Sequence, residues 1–150
     1  MLYLASHGKA YTELEDPDRR LTDEGIRETR RVALRLREAG VVVDEVIYGN
    51  SLRARQTAEI FAEYLSPKIM READGLGPND APSIWAAMLR GTSKPTMVVG
   101  HAPFLARLAT ILVVGRPDPP IVSLKCSSVL KLEKDQGGWR IAWLLTPRLL

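Results

Sequence analysis

The sequence predicts an α/β layered fold with a largely parallel central sheet. Short apolar runs of strand length alternate with longer stretches of helical, 3.6-residue periodicity. Each of the first three clear strand candidates runs directly into a helix or a loop leading to one, as crossover connections require. No linker or low-complexity stretch divides the chain, so residues 1–150 are expected to form a single domain.

Leu2 to Ala5 read as a first buried strand, followed by a polar loop containing Asp16 and Pro17. Thr22 stands where an N-cap should, and Asp23 and Glu24 suit the positive end of a helix dipole. The helix they start is expected to end near Gly40, with Ile26, Ala33 and Leu36 on one face. Val46 to Tyr48 give the second strand; Ser51 caps a helix from Leu52 to about Leu65, which Pro67 stops. Lys68 to Pro82 read as loop, with a short strand near Ile69. Ser83 to Arg90 form a short helix, and Thr96 to Val99 a third strand. Pro103 suits the start of a helix that ends by Gly115. After the turn RPDPP, Ser128 to Glu133 and Trp139 to Leu145 pair as a hairpin around Gly137 and Gly138.

Composition narrows the function. Hydrophobic residues at 45% and charged residues at 26% suit a folded globular chain rather than a disordered one. No apolar run approaches the ~20 residues of a membrane helix, so no membrane association is expected. The start, MLYLASHG, lacks a basic segment followed by a long apolar stretch, so no signal peptide is expected. Cys126 is the only cysteine, which excludes an internal disulfide and fits a cytoplasmic protein. The net charge of +3 suits acidic or phosphorylated partners. Much of it lies in GIRETRRVALRLREAG, where Arg27, Arg31 and Arg35 read as a solvated helix face. No RNA-binding aromatic motif or zinc-finger spacing occurs, and nucleic acid is not expected as a partner.

Three strand ends carry the chemistry. In open α/β sheets ligands bind beyond the carboxyl ends of the strands. Those ends deliver Ser6, His7 and Gly8; then GNSLRARQT with Arg53 and Arg55; then Gly100, His101 and Pro103. A cation in a first helical turn, such as Arg53, opposes the macrodipole unless an anion sits there too. With a phosphate present, helix amides and guanidinium bind the same group. His101 precedes another helix start, where a neutral imidazole is favoured until an anion arrives. The two histidines are therefore expected to share one phosphate pocket. No HxH or HExxH spacing supplies metal ligands, so no metal or other cofactor is expected.

These stretches resemble the histidine phosphatase superfamily, the phosphoglycerate mutase-like group. Within it, the chain looks most like the small bacterial phosphohistidine phosphatases of the SixA type. The resemblance rests on LYLASHGKA, DRRLTDEG, SLRARQTAE, LGP and VVGHAPFL, in that order. It implies a three-layer α/β/α sandwich. It also implies that His7 attacks phosphorus and is transiently phosphorylated, while Arg53 and His101 stabilise the transferring group. Ser6, Gly8 and Arg19 would join Arg53 and His101 in holding the phosphate, without a metal. The implied partner is a histidine-phosphorylated protein domain, or alternatively a small phosphate ester.

Ser6 departs from the family pattern, which has a phosphate-clamping arginine before the nucleophile. Lys9, Arg19 and Arg55 are the cations available to compensate. A module that binds a phosphorylated partner with little or no turnover is therefore a competing reading. Larger relatives use a loop carboxylate as general acid, for which Glu72, Asp74 and Asp80 are the candidates here. The short loops suit an open site facing a protein surface.

Overall fold

Alternation within the strands decides which side of the sheet each residue faces. Leu2 and Leu4 point into one buried cluster, and Tyr3 and Ala5 into another on the opposite face. The computed structural model describes residues 1–150. In chain order it comprises β1 (Leu2–Ser6), α1 (Asp23–Glu38), β2 (Glu45–Tyr48), α2 (Leu52–Leu65) and β3 (Ile69–Glu72). There follow α3 (Ser83–Arg90), β4 (Thr96–Gly100), α4 (Ala102–Val114), β5 (Val129–Asp135) and β6 (Gly138–Leu145), then a 3₁₀ turn at Pro147–Leu149.

The six strands form one sheet in the order β3-β2-β4-β1-β5-β6. The first four are mutually parallel, whereas β5 runs against β1 and β6 against β5. Val32, Ala33 and Leu36 of α1 and Ala58 and Phe61 of α2 pack on one face of the sheet. Trp85 and Leu89 of α3 and Phe104, Leu105 and Leu108 of α4 pack on the other. The result is a three-layer α/β/α sandwich whose central strands, β1 and β4, are buried along their whole length. No helix is long and apolar enough to cross a membrane.

The caps explain where the helices begin. Thr22 accepts the Gly25 N–H at 3.0 Å, with Asp23 and Glu24 in the first turn of α1. Ser51 accepts the Ala54 N–H at 3.2 Å to start α2, and Ser66, left-handed before Pro67, ends it. At α4 the extended residue His101 precedes the helix without a side-chain cap, which leaves its imidazole free for other partners.

Several boundaries differ from those read in the sequence. β1 and β4 each run one residue further because the parallel ladder continues through the pair Ser6 and Gly100. The stretch after Lys68 holds a full edge strand, β3, although all four of its residues are exposed. β5 starts at Val129 rather than Ser128, because Ser127 is left-handed and the Ser128 N–H closes a turn onto the Lys125 carbonyl. It also continues to Asp135, and Gly138 belongs to β6. Ile26 is only partly buried; Gly25, Thr29 and Val32 complete the inward stripe of α1.

Candidate active site

His7 is the first residue beyond β1, and the sheet grips it from both sides. Its N–H donates to the Gly100 carbonyl of β4 at 3.0 Å, and the Ser127 N–H reaches the Ser6 and His7 carbonyls at 3.2 Å each. Its Nδ1 lies 2.8 Å from the Gly8 carbonyl oxygen. A carbonyl can only accept, so Nδ1 carries the hydrogen and the lone pair resides on Nε2. Burial lowers the pKa of His7 despite that bond, and the nearby Arg53 and Arg19 cations lower it further. The ring is therefore a neutral imidazole with a free nitrogen, which is the nucleophilic form.

Gly8 has no space for a side chain. A Cβ there would stand 2.8 Å from Thr29 Oγ1 and 3.1 Å from the Gly25 carbonyl oxygen. It lies beneath the site, with its N–H donated to Thr57 Oγ1 at 2.9 Å.

Arg53 comes from the first turn of α2, which has no acidic residue. Its Nη2 lies 3.4 Å from His101 Nδ1. A guanidinium only donates, so in the neutral ring Nδ1 accepts and Nε2 carries the hydrogen. Burial is the main cause that drives the His101 pKa down to about 4, with His7, Arg53 and Arg19 adding to it and Asp80 opposing. The His7 and His101 rings meet edge to face, with centroids 5.0 Å apart and planes at 74°. Arg53 Nε is buried without a protein partner, and burial lowers the pKa of this guanidinium.

Arg19 reaches the same place from the loop before α1. Its backbone is left-handed, with φ of 51°, and its Nε donates to the Tyr11 carbonyl at 3.0 Å. The cleft these side chains line has a volume of about 380 Å³. Its eleven lining residues include Ser6, His7, Arg19, Arg53, His101 and Lys125, with no carboxylate. Such a surface suits an anion: Arg19, Arg53 and Lys125 and a helix start converge in a lining without a carboxylate. A larger apolar groove of about 480 Å³, walled by Tyr3, Leu36 and Trp143, lies away from both histidines.

The structure sorts the remaining candidates. Ser6 lines the cleft and is buried. Lys9 is exposed and paired with Glu24 at 2.8 Å; Arg55 is exposed and paired with Glu59 at 3.7 Å. Neither lines the cleft. Glu72 faces a separate cavity with Arg55, and Asp74 accepts from Asn50 at 3.4 Å. Asp80 accepts the Gly77 N–H at 2.7 Å and is the candidate acid whose charge reaches His101. Leu124, Lys125 and Cys126 also line the cleft, and sequence reasoning missed them. The available signal was the hairpin: if β5 runs against β1, the residues entering β5 arrive at the edge that β1 leaves.

Comparison with known proteins agrees with this architecture. The model of the histidine phosphatase superfamily (branch 1) matches residues 2–76. An uncharacterised protein of Picosynechococcus sp. is 34% identical over 122 residues, covering 77% of this chain and 74% of that one. The tungstate complex of the protein histidine phosphatase SixA superposes with a TM-score of 0.87 at 24% identity, over 99% of this chain and 97% of that one. A mycobacterial glucosyl-3-phosphoglycerate phosphatase complexed with VO3 gives a TM-score of 0.72 at 15% identity, covering 95% and 97%. A phosphoserine phosphatase variant from Entamoeba histolytica, bound to phosphoserine, gives 0.76 at 15%, covering 99% and 98%. The structural likenesses establish the phosphoglycerate mutase-like fold, and the family match adds descent: this chain belongs to the histidine phosphatase superfamily, branch 1.

Proposed function

We propose that the protein is a metal-independent phosphatase acting on protein phosphohistidine through a phosphohistidine intermediate on His7. One observation carries this reading: His7, whose Nδ1 is held by the Gly8 carbonyl and whose Nε2 is left free, shares a cleft with Arg53, His101 and Arg19. In the first step Nε2 forms a bond to phosphorus as the P–N bond to the substrate imidazole breaks. The departing imidazole takes up a proton from solvent. In the second step water attacks phosphorus, the Nε2–P bond breaks with its electron pair returning to Nε2, and the proton that water loses returns to solvent as inorganic phosphate leaves. Arg53, Arg19 and the His101 Nε2–H offset the charge spread over the phosphoryl oxygens in both steps.

The cleft lining supports phosphohistidine over alkyl esters. No carboxylate lines it to protonate a leaving alkoxide, and an imidazole leaving group needs less such help. No group of three or more His, Cys, Asp or Glu is placed to hold a metal ion. A small phosphate ester is the alternative substrate of the same chemistry. Buried, neutral Ser6 favours a second reading, in which the cleft binds a phosphorylated partner with little turnover.

The test is phosphate release from a histidine-phosphorylated protein domain, an aryl phosphate and an alkyl phosphate, all with chelator present. The proposal expects the phosphohistidine substrate to be fastest and His7→Ala to be inactive. Turnover of esters alone, or activity that chelation removes and a divalent metal restores, would overturn it. Tight tungstate binding without turnover of any substrate would select the second reading.

A further inference from the structure

Thr57 sits one helical turn beyond Arg53 and is fully buried. Its hydroxyl has one hydrogen, and this goes to the Arg53 carbonyl at 2.8 Å. The oxygen lone pairs are thereby left to accept the Gly8 N–H at 2.9 Å. One hydroxyl thus joins the turn that aims the Arg53 guanidinium to the peptide that follows His7.

Gly8 is also confined on its other side. Thr29 Oγ1, the Gly25 carbonyl and Ser127 Oγ close around its Cα. The Thr29 and Ser127 hydroxyls are themselves 2.8 Å apart, and Thr29 donates to the Gly25 carbonyl at 2.7 Å. The Gly8 carbonyl belongs to the following peptide, so its direction depends on the Gly8 dihedrals, which the held N–H and the groups around the glycine constrain from two sides. That carbonyl takes the Nδ1 hydrogen of His7 at 2.8 Å.

We propose that Thr57 is a positioning residue for His7. By holding the His7–Gly8 peptide through its N–H it restrains the Gly8 dihedrals that aim the Gly8 carbonyl, and that carbonyl keeps the hydrogen on Nδ1 and leaves Nε2 free. The proposal rests on His7 being the nucleophile. It goes beyond that reading in placing control of the tautomer on a buried hydroxyl that touches neither substrate nor imidazole. A valine at position 57 keeps the volume but removes the acceptor, so the Gly8 peptide loses its tether and the ring its fixed tautomer. Arg53 keeps its guanidinium, so anion binding is expected to persist.

The experiment compares the wild type with Thr57→Val and Thr57→Ser. Ring nitrogen NMR is simple here because the chain has two histidines, and His101→Asn assigns them. At pH 8 the wild-type His7 should show a protonated Nδ1 and an unprotonated Nε2. Thr57→Val should show mixed tautomers, with kcat falling by about ten- to a hundredfold while tungstate affinity changes by less than about threefold. Thr57→Ser should restore both the spectrum and the rate. A wild-type His7 with its hydrogen on Nε2 would overturn the proposal, as would folded Thr57→Val with unaltered tautomer and turnover. If Thr57→Val does not fold, the wild-type spectrum and Thr57→Ala take its place. The ring spectra need no turnover, so they decide the role of Thr57 even where no substrate is hydrolysed and the phosphatase reading fails.

Discussion

His7 and His101, with ring centroids 5.0 Å apart, hold opposite protonation patterns. The Gly8 carbonyl keeps the hydrogen of His7 on Nδ1, whereas Arg53 donates to Nδ1 of His101 and leaves the hydrogen on Nε2. One ring has a lone pair to give and the other a hydrogen to donate. Losing either arrangement should affect turnover differently. His7→Ala removes the proposed nucleophile and should abolish it. His101→Ala should reduce kcat by about 10²–10³ and leave a phosphorylated His7 detectable by rapid quench.

Acid should destabilise the free protein. Both histidines titrate below the ordinary value of 6.5 in the fold, His101 at about 4. Between those values the unfolded chain binds protons that the native state refuses, so stability falls as pH drops from about 6.5 toward 4. Above 6.5 these groups contribute no pH dependence. Tungstate should oppose the loss, because a bound dianion favours the charged imidazole. The rise in Tm with tungstate should therefore be larger at pH 5.5 than at pH 8, and thermal melts across that range would check it.

Ser6→Arg should raise turnover. A guanidinium at this strand end adds a charged donor facing His7, which is worth up to ~2–4 kcal/mol in the transition state. Of the cations that sequence reasoning offered in compensation, only Arg19 lines the cleft, and Lys125 joins it there. Arg19→Ala should therefore slow the wild type more than Lys9→Ala or Arg55→Ala, which break solvent-screened pairs outside the cleft. Comparing kcat for the three alanine variants, and for Ser6→Arg, tests this directly. No gain from a folded Ser6→Arg would mean that Arg19 and Lys125 already neutralise the phosphoryl charge.

Two glycines should differ in tolerance. A Cβ at Gly25 would stand 2.2 Å from the Lys9 carbonyl oxygen, part of the backbone, whereas at Gly8 the nearest atom is the Thr29 hydroxyl at 2.8 Å. Gly25→Ala must displace a chain segment, and Gly8→Ala mainly a side chain. Gly8→Ala should cost about 1–3 kcal/mol and Gly25→Ala more. Thr29→Ala should partly rescue the first and not the second. Denaturant midpoints would measure both.

Local chemistry made the helices and the parallel strands legible. Thr22 and Ser51 were recognisable as caps because their side chains act within three residues. His7, Arg53 and His101 could be grouped because each follows an apolar run, and parallel strands present all such ends at one edge. Relations across long sequence distances were not legible. Lys9 and Arg55 stand beside Arg19 in the sequence as cations able to compensate for Ser6, and only their pairing with Glu24 and Glu59 sets them apart. Lys125 and Cys126 follow a proline-rich turn and carry no local sign of belonging to a cleft; only the antiparallel pairing of β5 with β1 brings them there.

The reversal of β5 also divides the cleft by origin. His7 follows β1 and Arg53 opens α2, but Leu124 to Cys126 enter at the end of the connection that links α4 to β5. That connection is tethered by the buried Thr110 hydroxyl, which accepts the Ile121 N–H at 3.0 Å, and by Arg107 with Asp118 at 3.3 Å. Added residues between these tethers and Leu124 would deepen that wall of the cleft without shifting the parallel ladder. The fold thus draws one cleft from two sources, the ends of the parallel strands and a connection that can lengthen without disturbing them.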